Sequence, residues 1–131
     1  MPALYGGKMI GTIPDMTCFS FYATKTLATG EGGMLTTANG KWAERIKRMR
    51  LHGMSRDAWK RYTGAGNWYY EVTDVGYKYN MTDIQAVLGL TQLRKINDMW
   101  EKRKEIARIY NEAFSRIDEL ETPVVKEGRQ T

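Results

Sequence analysis

The stretch CFSFYATKTLATGEGGMLTT, from Cys18 to Thr37, decides the fold. Its first half alternates aromatic with small residues, which predicts a strand that points Phe19 and Phe21 to one face. A turn containing Lys25 and the glycine pair 32–33 follows, and GGMLTT predicts a second short strand. A lysine at this position adds little to a core, but it suits a reactive amine held beside an anionic group.

A basic helix is predicted after the second strand. Asn39 is the expected N-cap, Trp42, Ile46 and Met49 form the expected buried stripe, and Gly53 is the expected end. Upstream of the quoted stretch, KMIGTI predicts a further short strand.

Two more helices follow a long connection that runs from Met54 to Val75 and contains the aromatic cluster NWYY. The segment MTDIQAVLGLTQLRKI has Thr82 as its N-cap and apolar residues on more than one side, which predicts a buried helix. The last helix is expected from about Asn97 to Ile117, with an amphipathic pattern that needs a partner surface.

Length and composition indicate a soluble globular protein. The 131 residues are enough for one domain with a hydrophobic core. No apolar run approaches the ~18 residues of a membrane span, and MPALYGGKMIGTIPD lacks the layout of a signal peptide. The lone Cys18 excludes an internal disulfide, fits a reducing cytosol and is expected to be a small buried hydrophobe.

The net charge of +5 comes mainly from residues 41–61. Three interpretations remain open: a solvated helix face, a site for an anionic small molecule, or nucleic-acid binding. No zinc-finger spacing, helix-turn-helix signature or RNA-binding aromatic motif accompanies the charge. The basic residues are Lys41, Arg45, Lys47, Arg48, Arg50, Arg56, Lys60 and Arg61.

The element order predicts an α/β class with few strands and many apolar helix faces, typical of part of a larger domain. The phosphate loop of nucleotide hydrolases is excluded, because that loop places its lysine after the glycines and Lys25 precedes them.

Four blocks in order, FSFYATKTLATGEGGMLTT, RMRLHGMSRDAW, GYKYNMTDIQAVLGLTQL and WEKRKEIARIYNEAF, resemble the DegT/DnrJ/EryC/StrS family of sugar aminotransferases, which use pyridoxal 5'-phosphate. The resemblance covers essentially the whole chain. It implies that residues 1–131 form part of the large, cofactor-binding domain of a fold type I (aspartate aminotransferase-like) enzyme.

The resemblance also implies roles for individual residues. Lys25 matches the lysine that forms the internal aldimine and moves a proton between substrate and cofactor. Ser20 matches the serine that hydrogen-bonds the cofactor phosphate. In the family's G-Y-N-Y-R block an asparagine reaches the partner subunit's cofactor phosphate. This sequence departs from that block, with Lys78 at the asparagine position and Asn80 at the arginine position, so both are candidates for the phosphate.

Other matched positions carry weaker expectations. Glu31 and the glycines at 32 and 33 are expected to be structural. Tyr22 is a candidate for stacking or hydrogen bonding near Lys25. Residues 68–70 are candidates for lining a sugar pocket, although packing at an interface is the favoured interpretation. His52 is the sole histidine, so a histidine-based metal site is not expected.

The implied reaction is amination of a nucleotide-linked keto-sugar for surface polysaccharide or lipopolysaccharide, with glutamate or glutamine as donor, in a cytoplasmic homodimer without nucleic-acid or membrane partners. The family's Asp-x-Ala-His/Gln segment, whose aspartate pairs with the pyridinium nitrogen, has no counterpart here. Nor have the upstream cofactor-binding half and the C-terminal small domain. The isolated chain is therefore expected to be inactive. The alternative is a non-catalytic, self-associating interaction fragment.

Overall fold

The computed structural model describes residues 2–13, 15–55 and 71–130. The predicted aromatic cluster at 67–70 and most of the predicted long connection lie outside these ranges. The elements, in chain order, are β1 (Leu4–Tyr5), β2 (Lys8–Met9), β3 (Thr17–Ser20), β4 (Gly33–Thr36), α1 (Gly40–Met49), α2 (Asp83–Leu93), α3 (Ile96–Phe114) and β5 (Arg129–Gln130).

A small antiparallel sheet has the strand order β2-β1-β5. Its hairpin turns through Gly6 and Gly7, whose φ angles of 55° and 74° suit a tight two-residue turn. The predicted strand KMIGTI is confirmed only at Lys8–Met9, because the chain turns away from residue 10 onward.

The second sheet is the hairpin of β3 and β4, in which Thr17 pairs with Thr36 and Ser20 with Gly33. The predicted alternation is confirmed, since Phe19 is half-buried and Ser20 is exposed. The expectation that Cys18 is buried is wrong. Its thiol is exposed because it lines an open cavity.

Helix α1 begins at its predicted cap. The Oδ1 of Asn39 accepts hydrogen bonds from the N–H groups of Lys41 and Trp42, at 3.0 and 3.2 Å. The predicted stripe is wrong at Trp42, which is 37% exposed because α1 is open on that side. The predicted end is wrong too, since the helix ends at Met49 and Gly53 lies in the turn beyond it.

Helix α2 starts with the predicted cap, Thr82, which forms a reciprocal capping box with Gln85. It ends at Leu93, and a two-residue break separates it from α3. The helix predicted over residues 81–96 is therefore shorter than expected and covers Asp83–Leu93. None of the three helices in the described ranges is both long and apolar enough to span a membrane.

The core of the described residues is small. Trp100 is the buried apolar side chain, at 5% exposure, and Thr29 the buried polar one, at 3%. The expected burial of α2 on more than one side is wrong, since Ile84 is 77% and Val87 62% exposed. The expectation of a substantial core also fails, because no further layer among the described residues covers these faces.

Candidate functional site

The Lys25 loop, residues 22–28, projects from the hairpin of β3 and β4 and is closed at its base. The Phe21 N–H donates to the carbonyl of Gly32 at 2.8 Å. The Phe21 carbonyl in turn accepts from the Thr29 N–H at 2.9 Å. These bonds bring the two ends of the loop together, so the strands determine where it emerges.

Ser20, the last residue of β3, forms one compact turn with Tyr22 and Lys25 of the loop. The Lys25 N–H donates to the Tyr22 carbonyl at 2.9 Å, and the Tyr22 N–H approaches the Ser20 Oγ at 3.4 Å. All three residues are exposed. The structure therefore places Ser20 and Lys25 in one exposed, hydrogen-bonded turn.

Helix α2 holds the far end of the loop. The Gln92 Oε1 accepts from the Ala28 N–H at 3.0 Å, and the Gln85 Nε2 donates to the Glu31 carbonyl at 3.0 Å. The sequence interpretation missed both glutamines. A signal for Gln85 was present, because T-x-x-Q is a capping-box pattern; Gln92 had none.

Lys78 and Asn80 lie on the segment that runs antiparallel to the end of α1. Lys78 pairs with Leu51 in an isolated bridge, and the neighbouring Tyr79 N–H donates to the Arg50 carbonyl at 2.8 Å. The Lys78 Nζ donates to the Asn80 Oδ1 at 2.5 Å. The structure thus brings the two phosphate candidates together.

A second group of residues surrounds these candidates. Lys78 and Asn80 line an open cavity of about 650 Å³, together with Cys18, Arg50 and other residues, but neither Ser20 nor Lys25 lines it. Ser20 nonetheless lies next to this cavity, because Phe19, its neighbour in the chain, and Gly33, its partner across the hairpin, both line it.

The remaining predicted positions have plain backbone roles. The Glu31 carbonyl accepts from the Thr29 hydroxyl at 2.7 Å, and Gly33 begins β4. His52 is exposed, has φ 56°, and donates its N–H to the Tyr77 carbonyl. No cluster of three or more His, Cys, Asp or Glu side chains suited to a metal ion occurs in the described part of the chain.

The sequence profile of the DegT/DnrJ/EryC1/StrS aminotransferase family matches residues 1–131. The chain belongs to this family. The predicted resemblance is confirmed.

Three similar proteins illustrate the family. The spore coat polysaccharide biosynthesis protein SpsC of Bacillus subtilis is 57% identical over 121 residues, 92% of this chain and 31% of SpsC. Spr1654 from Streptococcus pneumoniae, in its PLP form, superimposes with a TM-score of 0.82 and 32% identity, covering 97% of this chain and 31% of that one. The sugar aminotransferase CalS13 from Micromonospora echinospora gives a TM-score of 0.82 at 28% identity, over 98% of this chain and 33% of that one.

The predicted fold class is confirmed by these structures. The chain is α/β, with few strands and three helices, and has the fold of part of a fold type I PLP-dependent transferase large domain. It spans about a third of the length of the family members it matches.

Proposed function

We propose that residues 1–131 are the part of a PLP-binding large domain that attaches the cofactor in an aminotransferase of nucleotide-linked keto-sugars. The observation that carries this proposal is the compact turn that joins Ser20 to Lys25, in a chain of this family. The non-catalytic interaction fragment is not favoured, because it leaves this turn without a role.

The donor set of the turn fits a phosphorylated aldehyde. Lys25 supplies a primary amine that can condense with the aldehyde carbon, with loss of water, and the Ser20 hydroxyl can donate a hydrogen bond to a phosphate oxygen. The Tyr22 N–H occupies one acceptor site on the Ser20 Oγ. This leaves the hydroxyl proton available to point outward. When bound, the cofactor supplies a ring that stabilises negative charge on the substrate carbon.

A homodimer is the second part of the proposal. Lys78 and Asn80 line a cavity that Ser20 and Lys25 do not line. The assignment in which each chain's Lys78 and Asn80 serve the phosphate held by its partner rests on family membership, because the family's asparagine at the Lys78 position reaches the partner subunit's cofactor phosphate. Lys78 would act as a point charge, while Asn80 accepts from its ammonium group and orients it.

The substrate class follows from family membership and from the role in polysaccharide biosynthesis that SpsC's name states. We propose a nucleotide-linked keto-sugar destined for a surface polysaccharide or lipopolysaccharide, with glutamate or glutamine as amino donor. The exposed, unpaired thiol of Cys18 suits the reducing cytoplasm.

The 131-residue chain alone is proposed to be inactive in transamination. The described residues leave the apolar faces of α2 uncovered, and residues 1–131 contain no Asp-x-Ala-His/Gln segment to supply the carboxylate for the pyridinium nitrogen. Attachment of the aldehyde to Lys25 requires fewer groups than the full reaction, so it is the better test on this chain.

Reductive trapping tests the proposal. The chain is incubated with pyridoxal phosphate, reduced with borohydride and mapped by peptide mass spectrometry. We expect Lys25 to be labelled several-fold faster than Lys8, an exposed lysine on β2. Lys25→Ala removes this label, while Lys8→Ala leaves it in place. Equal labelling of the exposed lysines would contradict the assignment.

A second labelling experiment tests the phosphate site. It compares pyridoxal phosphate with pyridoxal, which lacks the phosphate. Wild-type Lys25 is expected to prefer pyridoxal phosphate over pyridoxal by about tenfold or more, the size of one hydrogen bond to a charged group. Ser20→Ala is expected to lower this preference. A preference that Ser20→Ala leaves unchanged would remove Ser20 from the phosphate site.

A further inference from the structure

We infer that one face of α2, formed by Gln85, Gly89 and Gln92, is a positioning surface for the Lys25 loop. The inference rests on the proposed role of Lys25. It names Gln85 and Gln92 as positioning residues, which act on the amine only through the backbone that carries it.

The three residues share one face because they are spaced four and three positions apart on a helix. The two glutamines contact opposite ends of the short segment 28–31: Gln92 binds the Ala28 N–H, and Gln85 binds the Glu31 carbonyl. These bonds join positions 64 and 54 residues apart in sequence. Two tethers on one rigid helix restrict rotation of the segment more than one tether would.

Between the tethers, Gly89 allows the segment to lie close against the helix. A Cβ at this position would lie 3.2 Å from the Thr29 Cγ2. Thr29 is 3% exposed, its N–H closes the base of the loop on Phe21, and its hydroxyl donates to the Glu31 carbonyl. Thr29, four residues after Lys25, is thus a buried, hydrogen-bonded anchor for the Lys25 loop.

The two glutamines bind the segment with different ends of the side-chain amide: Gln92 accepts a hydrogen bond and Gln85 donates one. Gln92 must present an acceptor, because its partner is an N–H. Gln85 must present a donor, because its partner is a carbonyl, while its Oε1 accepts from the N–H and hydroxyl of Thr82 in the capping box. The same substitution, glutamine to glutamate, therefore keeps the tether at 92, breaks the tether at 85, and leaves a capping acceptor at 85.

The experiment compares Gln92→Leu, Gln92→Glu and Gln85→Glu in the 131-residue chain. Two readouts are taken: amide hydrogen exchange at Ala28, and the ratio of reductive pyridoxal phosphate labelling at Lys25 to that at Lys8. Gln92→Leu is expected to speed Ala28 exchange and lower the labelling ratio about fivefold, the effect of one lost hydrogen bond. Gln92→Glu is expected to restore both toward the wild-type values.

Gln85→Glu is the matched comparison, because it adds the same charge to the same helix as Gln92→Glu. It is expected to lower the labelling ratio about fivefold while helix content, measured by circular dichroism, stays constant. A role confined to helix stability predicts the opposite order, because a carboxylate at position 85, in the first turn of α2, stabilises the helix, and one at position 92, in the last turn, destabilises it.

The outcomes separate the inference from the function on which it rests. Unchanged Ala28 exchange in Gln92→Leu would overturn the inference, and so would faster exchange with an unchanged labelling ratio. A wild-type chain that shows no preference for Lys25 would instead overturn the proposed function. A labelling ratio in Gln92→Glu that is equal to or lower than that in Gln85→Glu would reduce α2 to a structural support.

Discussion

Gly53 lies so close to the segment 74–76 that neither Gly53 nor Gly76 has room for a side chain. A Cβ at Gly76 would lie 2.0 Å from the Gly53 nitrogen, and one at Gly53 would lie 1.8 Å from the Asp74 carbonyl oxygen. Around this contact the end of α1 and the segment that carries Lys78 exchange backbone hydrogen bonds, including His52 N–H to the Tyr77 carbonyl at 2.9 Å. The close approach therefore sets the position of Lys78 relative to α1.

Gly76→Ala is expected to destabilise the chain by ~3 kcal/mol or more, because the added carbon meets backbone that cannot move aside without breaking these bonds. Chemical denaturation followed by circular dichroism measures the change.

Gly40→Ala is the control for this prediction. Gly40 is the first residue of α1, has no atom within 4 Å of an added Cβ, and does not need a positive φ. Alanine there is expected to be neutral or to stabilise by up to ~1 kcal/mol, since it is the better helix former. Equal losses in the two variants would mean that the contact between Gly53 and Gly76 is not the cause.

Asn39→Ala is expected to lower the free energy of unfolding by ~1 kcal/mol. The Asn39 Oδ1 satisfies two N–H groups at the start of α1, and alanine leaves both without that acceptor. Asn39→Asp keeps the acceptor and is expected to restore the stability. Denaturation midpoints of the three proteins check this, and an aspartate variant as weak as the alanine variant would refute the capping role.

Lys78→Met is expected to weaken binding of pyridoxal phosphate at the open cavity by about tenfold, because it removes the charge available to a phosphate there. Asn80→Ala retains the charge and removes the hydrogen bond that orients it, so a smaller loss is expected. Titration followed by the Tyr79 amide signal in NMR spectra measures both. A larger loss in Asn80→Ala would transfer the phosphate role to Asn80.

The pKa of Glu105 responds to Arg108 on α3. Hydrogen bonds from the Arg108 guanidinium, at 2.7 and 2.9 Å, lower the pKa of the Glu105 carboxyl. Because the pKa of Glu105 is lower in the folded chain, its interaction with Arg108 stabilises the fold at pH values above the ordinary carboxyl pKa. This stabilisation is lost as the pH falls through the lowered pKa and the carboxylate is protonated. Arg108→Gln is therefore expected to raise the pKa of Glu105 toward its ordinary value.

An NMR titration of the Glu105 side-chain carbonyl checks this direction. Lys104→Gln is the control, since Lys104 pairs with Glu101 instead. High salt is expected to reduce the effect of Arg108, because both groups are solvent-exposed. A Glu105 pKa that Arg108→Gln leaves unchanged would contradict the assigned cause.

Local patterns determined much of this protein in advance. The caps at Asn39 and Thr82 and the alternation of Phe19 with Cys18 and Ser20 follow from spacing over a few residues, and a helix or strand imposes that spacing wherever it lies. The matched blocks around Lys25 and Ser20 likewise indicated the family from the sequence alone.

Tertiary structure alone decided which faces are covered and which distant groups meet. Spacing could indicate which side of β3 carries Cys18, but not that this side faces an open cavity. It also could not pair Gln92 with Ala28, or Gly53 with Gly76. Each of these contacts depends on the relative placement of two elements far apart in sequence, which the packing of the whole chain determines and a local period does not encode.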